Sequence, residues 1–232
     1  MGYASAVRSL VPKRMLLCIA LALVTVTAAS TPAQASTVVG LWHMDDTDRV
    51  MNDSSASNLD GALSSNVVTG QVGSIGSAFL FPKKPAAVSV PSSTKLNPGT
   101  GTFTVSVRVQ FSAKPSSSVG DFDLVRKGLS YTTGGNWKVE ILQNGYAYCQ
   151  FQGSGGYVSV SRGPDLSNGA WHSISCTRYS TGVRLTVDGS YSTKSGSTGT
   201  IANTAYMYVG AKSTAGEDQY VGRMDELQIT TG

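Results

Sequence analysis

The sequence predicts an all-β fold in which two antiparallel sheets pack face to face. Three observations carry this expectation. Side-chain character alternates with a period of two in many short runs, helical periodicity is essentially absent, and turn residues recur about every ten positions. The runs lie at 37–44, 78–81, 86–90, 103–111, 122–126, 137–142, 146–152, 157–161, 171–179, 183–188, 206–210 and 221–229. Between them stand clusters such as Asn97-Pro98-Gly99, Thr133-Gly134-Gly135-Asn136 and Ser167-Asn168-Gly169. Asn144-Gly145, flanked by two alternating runs, predicts a tight two-residue hairpin, because glycine accepts the positive φ that such a turn demands.

Alternation also assigns faces. Trp137, Val139 and Ile141 share one side of their strand, opposite Lys138 and Glu140, and Val183, Leu185 and Val187 share another. Ala147, Cys149 and Phe151 point inward, which turns Tyr146, Tyr148 and Gln150 outward. Met207 and Val209 point inward, which turns Tyr206 and Tyr208 outward. The expected core is Trp42, Phe79, Phe81, Phe103, Val105, Trp137, Ile141, Trp171, Ile174, Leu185, Val187 and Leu227.

The N-terminal segment reads as something other than fold. Arg8, Lys13 and Arg14 make a basic start, Met15 to Val26 is an apolar run too short to span a bilayer, and Ala33-Gln34-Ala35 supplies small residues before Ser36. Residues 1–35 are therefore expected to be a cleaved secretory signal peptide, and residues 36–232 a single secreted, extracellular domain with no membrane span. Three of the chain's 18 Lys and Arg fall in this leader, leaving 15 against 14 Asp and Glu. The mature part is near neutral and carries no basic stripe longer than a pair, which excludes the electrostatic footprint of a nucleic-acid binder.

Two cysteines remain after the leader, Cys149 and Cys176. In an exported protein such a pair is expected to form a disulfide, here between neighbouring strands, and the bridge would stabilise by roughly 3–4 kcal/mol. A redox role fits poorly, since neither has a CxxC partner or a flanking histidine.

The order Trp171-His172, Val183 to Asp188-Gly189, Val209-Gly210 and Gly222 to Asp225-Glu226 resembles the laminin-G-like, concanavalin-A-like jelly rolls of bacterial secreted proteins. Leu41-Trp42-His43-Met44-Asp45-Asp46, the Asp53 to Gly61 loop, Ser77 to Phe81 and Phe103 to Val107 follow in the same order, so the resemblance covers roughly residues 38–230. It implies the β-sandwich closely and the function loosely, because such jelly rolls serve as lectins, enzymes, adhesins and inert spacers.

The resemblance also implies that the first and last strands lie close together and that a calcium ion ties them. Asp225 is then the best side-chain ligand and Asp45 or Asp53 its partner, with Ca²⁺ in a structural role. Hard Ca²⁺ takes six to eight oxygens, and Asp45, Asp46, Asp48, Asp53, Asn58 and Asp60 crowd the N-terminal loop. The alternative is that these aspartates merely fold an Asx-turn-rich loop and that Asp225 accepts backbone N–H groups. A second candidate is a sugar platform built from the outward Tyr146, Tyr148, Tyr206 and Tyr208, with Gln150, Glu140 and Lys138 as polar neighbours. The alternative there is tyrosine as an ordinary sheet-covering residue.

Catalysis is the weakest reading. Glycoside hydrolysis needs two positioned carboxyls, and the glycosidases of this fold carry Glu-x-Asp-x-x-Glu on one strand. Here Asp121-Phe122-Asp123 lacks the flanking acids and Glu140 has no acidic partner nearby. His43 and His172, the two histidines, fit strand positions, His172 through a hairpin hydrogen bond. No phosphate-cradling glycine loop or His/Cys metal cluster occurs. The sequence thus points to non-catalytic recognition of an extracellular glycan or cell-surface glycoconjugate. The alternative is an adhesion or cell-envelope interaction domain without specific sugar binding, and a polysaccharide-active enzyme is less expected.

Overall fold

Strands β1 (Thr37–Trp42) and β16 (Gly222–Thr231) pair along the length of β1, so the two ends of the domain close on each other. The computed structural model describes residues 1–4 and 35–232, and the signal peptide expected over residues 1–35 lies almost entirely outside the described residues. No described helix is long and apolar enough to cross a membrane.

Among the described residues, two eight-stranded sheets form the sandwich, and every strand ladder is antiparallel. The first runs β14 (Ser190–Ser195), β13 (Gly182–Val187), β12 (Trp171–Tyr179), β7 (Phe103–Gln110), β16, β5 (Ser77–Phe81) and β4 (Val68–Val72), with β1 also on β16. The second runs β11 (Gly156–Arg162), β10 (Ala147–Gly153), β9 (Asn136–Ile141), β8 (Phe122–Lys127), β15 (Met207–Val209), β6 (Val88–Val90), β3 (Gly61–Leu63) and β2 (Val50–Met51). Four of these strands escape the sequence pattern for physical reasons. β2 and β3 are too short to display a period, β4 is bulged around Gly70, and β14 is a polar edge strand that is exposed along most of its length.

All the expected core side chains but one are buried. Trp171 is half-buried, because the inward positions of β12 are His172, Ile174, Cys176 and Arg178, and the alternation puts Trp171 on the other face. Phe103 of the first sheet meets Trp137 and Phe151 of the second at ring separations of 5.4 and 6.2 Å. Buried indoles need a partner for their N–H. Trp137 donates to the Leu96 carbonyl at 3.0 Å and Trp42 to the Leu59 carbonyl at 2.9 Å. Loss of one such ring costs about 3–5 kcal/mol in a packed interior.

Cys149 and Cys176 are bonded, with Cα atoms 6.3 Å apart. They do not sit on neighbouring strands as expected. Cys149 is on β10 and Cys176 on β12, so the bridge crosses the interior and ties the second sheet to the first. Both are inward positions, and the sequence offered no means of telling a cross-sheet pair from a cross-strand one.

Two turns show how local chemistry sets register. Asp188 (φ 47°) and Gly189 (φ 79°) make the two-residue connection between β13 and β14. At Asn144-Gly145 the tight turn expected is instead a three-residue loop. The amide of Gly145 donates to Leu142 at 2.8 Å, that of Leu142 donates to Tyr146 at 2.9 Å, and only Gly145 adopts positive φ. This is a type I turn followed by a glycine bulge.

Candidate functional site

The register of the second sheet lines up two rows of side chains across its outer face. One row reads Tyr208, Arg126, Lys138, Gln150 and Ser159; the next reads Asp123, Glu140, Tyr148 and Ser161. A bulge in β8 between Asp123 and Val125 is what brings both Asp123 and Arg126, three residues apart, to the same face. The loops at 129–131 and 212–218 wall this floor into a cleft of about 530 Å³, with Asp121, Arg126, Asn136, Lys138, Gln150 and Asp218 among its lining.

The sequence-selected residues partly converge here. Tyr148 donates its hydroxyl to Gln150 Oε1 at 2.9 Å, and the Lys138 ammonium lies 5.5 Å from its ring centre. Tyr208 enters the first row beside Arg126 and stacks on the exposed Tyr206, with ring centres 6.3 Å apart. Tyr146 stands apart at the hairpin end, its ring so close over Gly163 that a Cβ there would come within 2.6 Å of it.

The floor is heavily charged. Asp123 is fully buried and its Oδ2 accepts from Arg126 Nη1 at 2.7 Å, while Lys138 pairs with Glu140. Glu140 does have an acidic neighbour. It lies directly opposite Asp123 in the strand ladder, which corrects the sequence reading that left it without one. Strand pairing supplies neighbours that chain distance conceals. Burial pushes the Asp123 carboxyl well above its ordinary range; Arg126 opposes the shift, while Glu140 and Asp121 add to it. Asp121 is pushed up to about 6, by burial first and then by the charges on Glu140 and Asp218. Carboxylate oxygens of Asp121, Asp123 and Asp218 lie within 4.8 Å of one another, the one group of this kind among the described residues. Sequence reasoning missed Arg126, Lys212 and Asp218. The bulge hides the first, and the other two sit on a loop without periodic signal.

Of the expected calcium residues, Asp225 lies on β16 of the first sheet, Asp45 in the loop after β1, and Asp53 in the loop between β2 and β3. β16 forks: Gly222–Met224 pairs with β5, and Leu227–Thr231 with β1. The fork falls at Asp225-Glu226, with Glu226 at φ 50°. Asp225 Oδ2 accepts from the amides of Ser74 at 2.7 Å and Ile75 at 2.9 Å, whereas its buried Oδ1 has no partner. Burial raises the Asp225 pKa against those amide bonds. Glu226 holds His43 Nδ1 at 3.0 Å and so raises the pKa of that histidine. Asp45 Oδ1 accepts from the Ser77 amide at 2.5 Å.

Asp53 is fully engaged. Its Oδ1 accepts from the amides of Leu41 and Ser55, both at 2.9 Å, and its Oδ2 accepts from Ser55 Oγ at 2.9 Å and the Leu59 amide at 2.8 Å. Burial works against its ionisation, yet these donors hold its pKa below the ordinary value. At the fork Asp225 thus keeps one buried oxygen without a partner, while Asp53 serves as the organiser of its loop. His172, in turn, is held between Asp188 at 2.7 Å and Asn168 at 2.9 Å, the hairpin role expected for it.

A double-layered jelly roll with a polar cleft over one sheet defines a broad class of recognition and hydrolytic domains. Within it, the model of the concanavalin A-like lectin/glucanases superfamily (Laminin_G_3) matches residues 83–232, and the chain belongs to that family. No curated protein matches it by sequence. Among solved structures, the binding domain of Paraclostridial Mosquitocidal Protein 1 is similar over 83% of this chain, with a TM-score of 0.65 and 17% identity. The receptor binding domain of botulinum neurotoxin D is similar at a TM-score of 0.61 and 15% identity. The chain spans about half the length of these toxin domains, 48% in each case. Domain 4 of AbnA, a GH43 extracellular arabinanase from Geobacillus stearothermophilus solved in complex with arabinotriose, is matched over 85% of this chain and 93% of its own, with a TM-score of 0.60 and 16% identity.

Proposed function

We propose that this chain is a secreted, non-catalytic glycan-binding domain whose sugar site is the cleft on the outer face of the second sheet. The observation that carries the reading is the pair of cross-strand rows, which set Tyr148 beside Gln150 and Tyr208 beside Arg126, next to a cleft lined by donors and acceptors. Sugars present apolar C–H faces and closely spaced hydroxyls. Flat rings match the faces, while Arg126, Lys138, Asn136 and Gln150 can donate to the hydroxyls and Asp121 and Asp218 can accept from them. The arabinotriose complex of a domain with this fold, matched over nearly its whole length, supports the reading.

The state of two of the carboxyls supports binding without turnover. Asp123 and Glu140 are fully buried beneath the cleft floor, and each is tied to a cation, so neither is free to approach a glycosidic oxygen. A polysaccharide panel that includes arabinan, screened with the full-length chain, is expected to return a ligand whose binding weakens in Gln150→Ala and Tyr148→Ala. A panel with no glycan bound, or a ligand indifferent to both changes, overturns the proposal. Capture of a cell-surface protein instead supports the adhesion alternative.

A structural calcium ion belongs to the same proposal. Asp225 would hold it through the unpaired Oδ1, with Asp45 as the candidate second carboxylate, and the ion would tie the forked last strand to the loop after the first. Chelation is expected to lower the melting temperature, and Asp225→Ala to reproduce much of the loss. An unchanged melt together with no ion in elemental analysis ends the calcium reading.

A further inference from the structure

We propose that Asp121, Asp123 and Asp218 form a separate cation site, taking a hard divalent ion of the calcium class at the side of the cleft. Their ligand oxygens lie within 4.8 Å of one another. Like charges at such spacing, largely withdrawn from water, repel strongly unless a counter-charge sits between them. Asp123 is wholly buried and its Oδ1 has no hydrogen-bond partner; Asp121 Oδ1 is equally buried and unpartnered. Buried charged oxygens without partners are costly and rare, and each asks what it is meant to hold.

The side-chain cations already present do not answer that question. Arg126 takes Asp123 Oδ2 and Lys212 takes Asp218 Oδ2, both at 2.7 Å, which leaves the orphaned oxygens untouched. The three cations around the cleft are already engaged, Arg126 by Asp123, Lys138 by Glu140 and Lys212 by Asp218, which leaves Asp121 without one. The site is also built in advance. The Asp123 amide donates to the Asp218 carbonyl at 2.8 Å, and Asp123 bridges to Gln219, so the 218 loop is fastened to β8.

The donor set is all oxygen, with no histidine or cysteine in the group, which selects calcium-like ions over zinc. Three carboxylates supply fewer oxygens than calcium takes, so solvent or ligand hydroxyls would complete the shell. The competing explanation is a proton held between Asp123 and Glu140.

Calorimetric titration with CaCl₂ separates the two. In full-length Asp225→Asn protein, which lacks the calcium ligand at the strand fork, one equivalent is expected to bind. Adding Asp121→Asn or Asp218→Asn, both at partly exposed positions, is expected to weaken that binding at least tenfold, with the melt showing the variants folded. The wild-type background, run in parallel, should lose one equivalent of its uptake with the same changes. No binding in the Asp225→Asn protein, or binding unaltered by the Asp121 and Asp218 changes in either background, overturns the site.

Discussion

Asp123 lies directly opposite Glu140 in the β8–β9 ladder, and each carboxyl is held by a cation from its own strand, Arg126 for the one and Lys138 for the other. Such a network is a consequence of pairing rather than of chain proximity. It makes the floor of the cleft rigid, because no member can leave without stranding another buried charge. We therefore expect Arg126→Met to destabilise the domain by roughly 3–5 kcal/mol, the usual cost of removing one partner of a buried ion pair. Replacing Asp123 with leucine as well should recover a large part of the loss. Denaturant unfolding of the two single variants and the double variant closes the cycle; additive losses would show that the pair is not coupled.

The tyrosines separate into a binding and a packing group. Tyr148 stands beside Gln150 and Tyr208 beside Arg126, whereas the Tyr146 ring rests on Gly163. An aromatic contact contributes about 0.5–1.5 kcal/mol beyond area burial. Tyr148→Ala is accordingly expected to weaken glycan affinity roughly threefold to tenfold with little change in stability. Tyr146→Ala should lower stability and leave affinity near the wild-type value. Equal effects of the two on binding would contradict this division.

Much of this architecture is legible in the sequence, and where legibility ends has physical causes. Alternation fixes which face each long strand buries, so Ile174, Cys176, Leu185 and Val187 are placed correctly, and Tyr148, Gln150 and Tyr208 come out on the right side of their strands. Trp171 misleads because size suggests burial, while its odd position on β12 puts it opposite Ile174 and Cys176. The same alternation says nothing about which strands become neighbours. Hence Cys149–Cys176 reads as a cross-strand bridge and Glu140 as isolated, though one crosses between sheets and the other faces Asp123. The bulge in β8 shifts the alternation by one residue and hides Arg126. Asp53 reads equally well as a metal ligand or a loop organiser until its four donors are seen.

The disulfide is a cross-sheet staple, so its removal should loosen the sandwich without altering strand register. A Cys149→Ala/Cys176→Ala variant is expected to lose roughly 3–4 kcal/mol of unfolding free energy, the chain-entropy value for closing a loop of this length, while keeping its β-type circular-dichroism spectrum. Since β10 also carries Tyr148 and Gln150, glycan affinity should fall modestly in parallel. An unchanged denaturation midpoint would mean that the two sheets are held by packing alone.

Gly210 follows β15 with φ 85°, and a Cβ there would lie 2.2 Å from the buried Phe81 ring. Left-handed backbone costs a non-glycine residue about 1–2 kcal/mol, and overpacking a core adds about 1–3 kcal/mol. Gly210→Ala should therefore cost roughly 2–5 kcal/mol. Gly189, with φ 79° and open space around its Cβ position, isolates the backbone contribution, and Gly189→Ala should cost only about 1–2 kcal/mol. Similar melting temperatures for the two variants would show that Phe81 moves aside.

Lys127 is the buried cation whose titration should be visible in solution. Its Nζ donates to Asn97 Oδ1 at 3.0 Å, Asn203 O at 2.7 Å and Asn203 Oδ1 at 2.8 Å, all neutral acceptors, and burial pushes its pKa down to about 8 from 10.5. Between those two values the unfolded chain holds the proton that the folded chain has released. Stability should consequently rise with pH across this window, and below pH 8, where both states are charged, the gain is absent. The slope approaches about 1.4 kcal/mol per pH unit at most. Lys127→Met lacks the group and provides the baseline against which other titrations cancel. The unfolding free energy of the wild type relative to this variant is expected to grow by roughly 1–2 kcal/mol between pH 8 and 9.5. A difference that stays flat or shrinks over that interval would mean that the three acceptor oxygens keep the ammonium charged, and that burial at this position costs the folded state nothing.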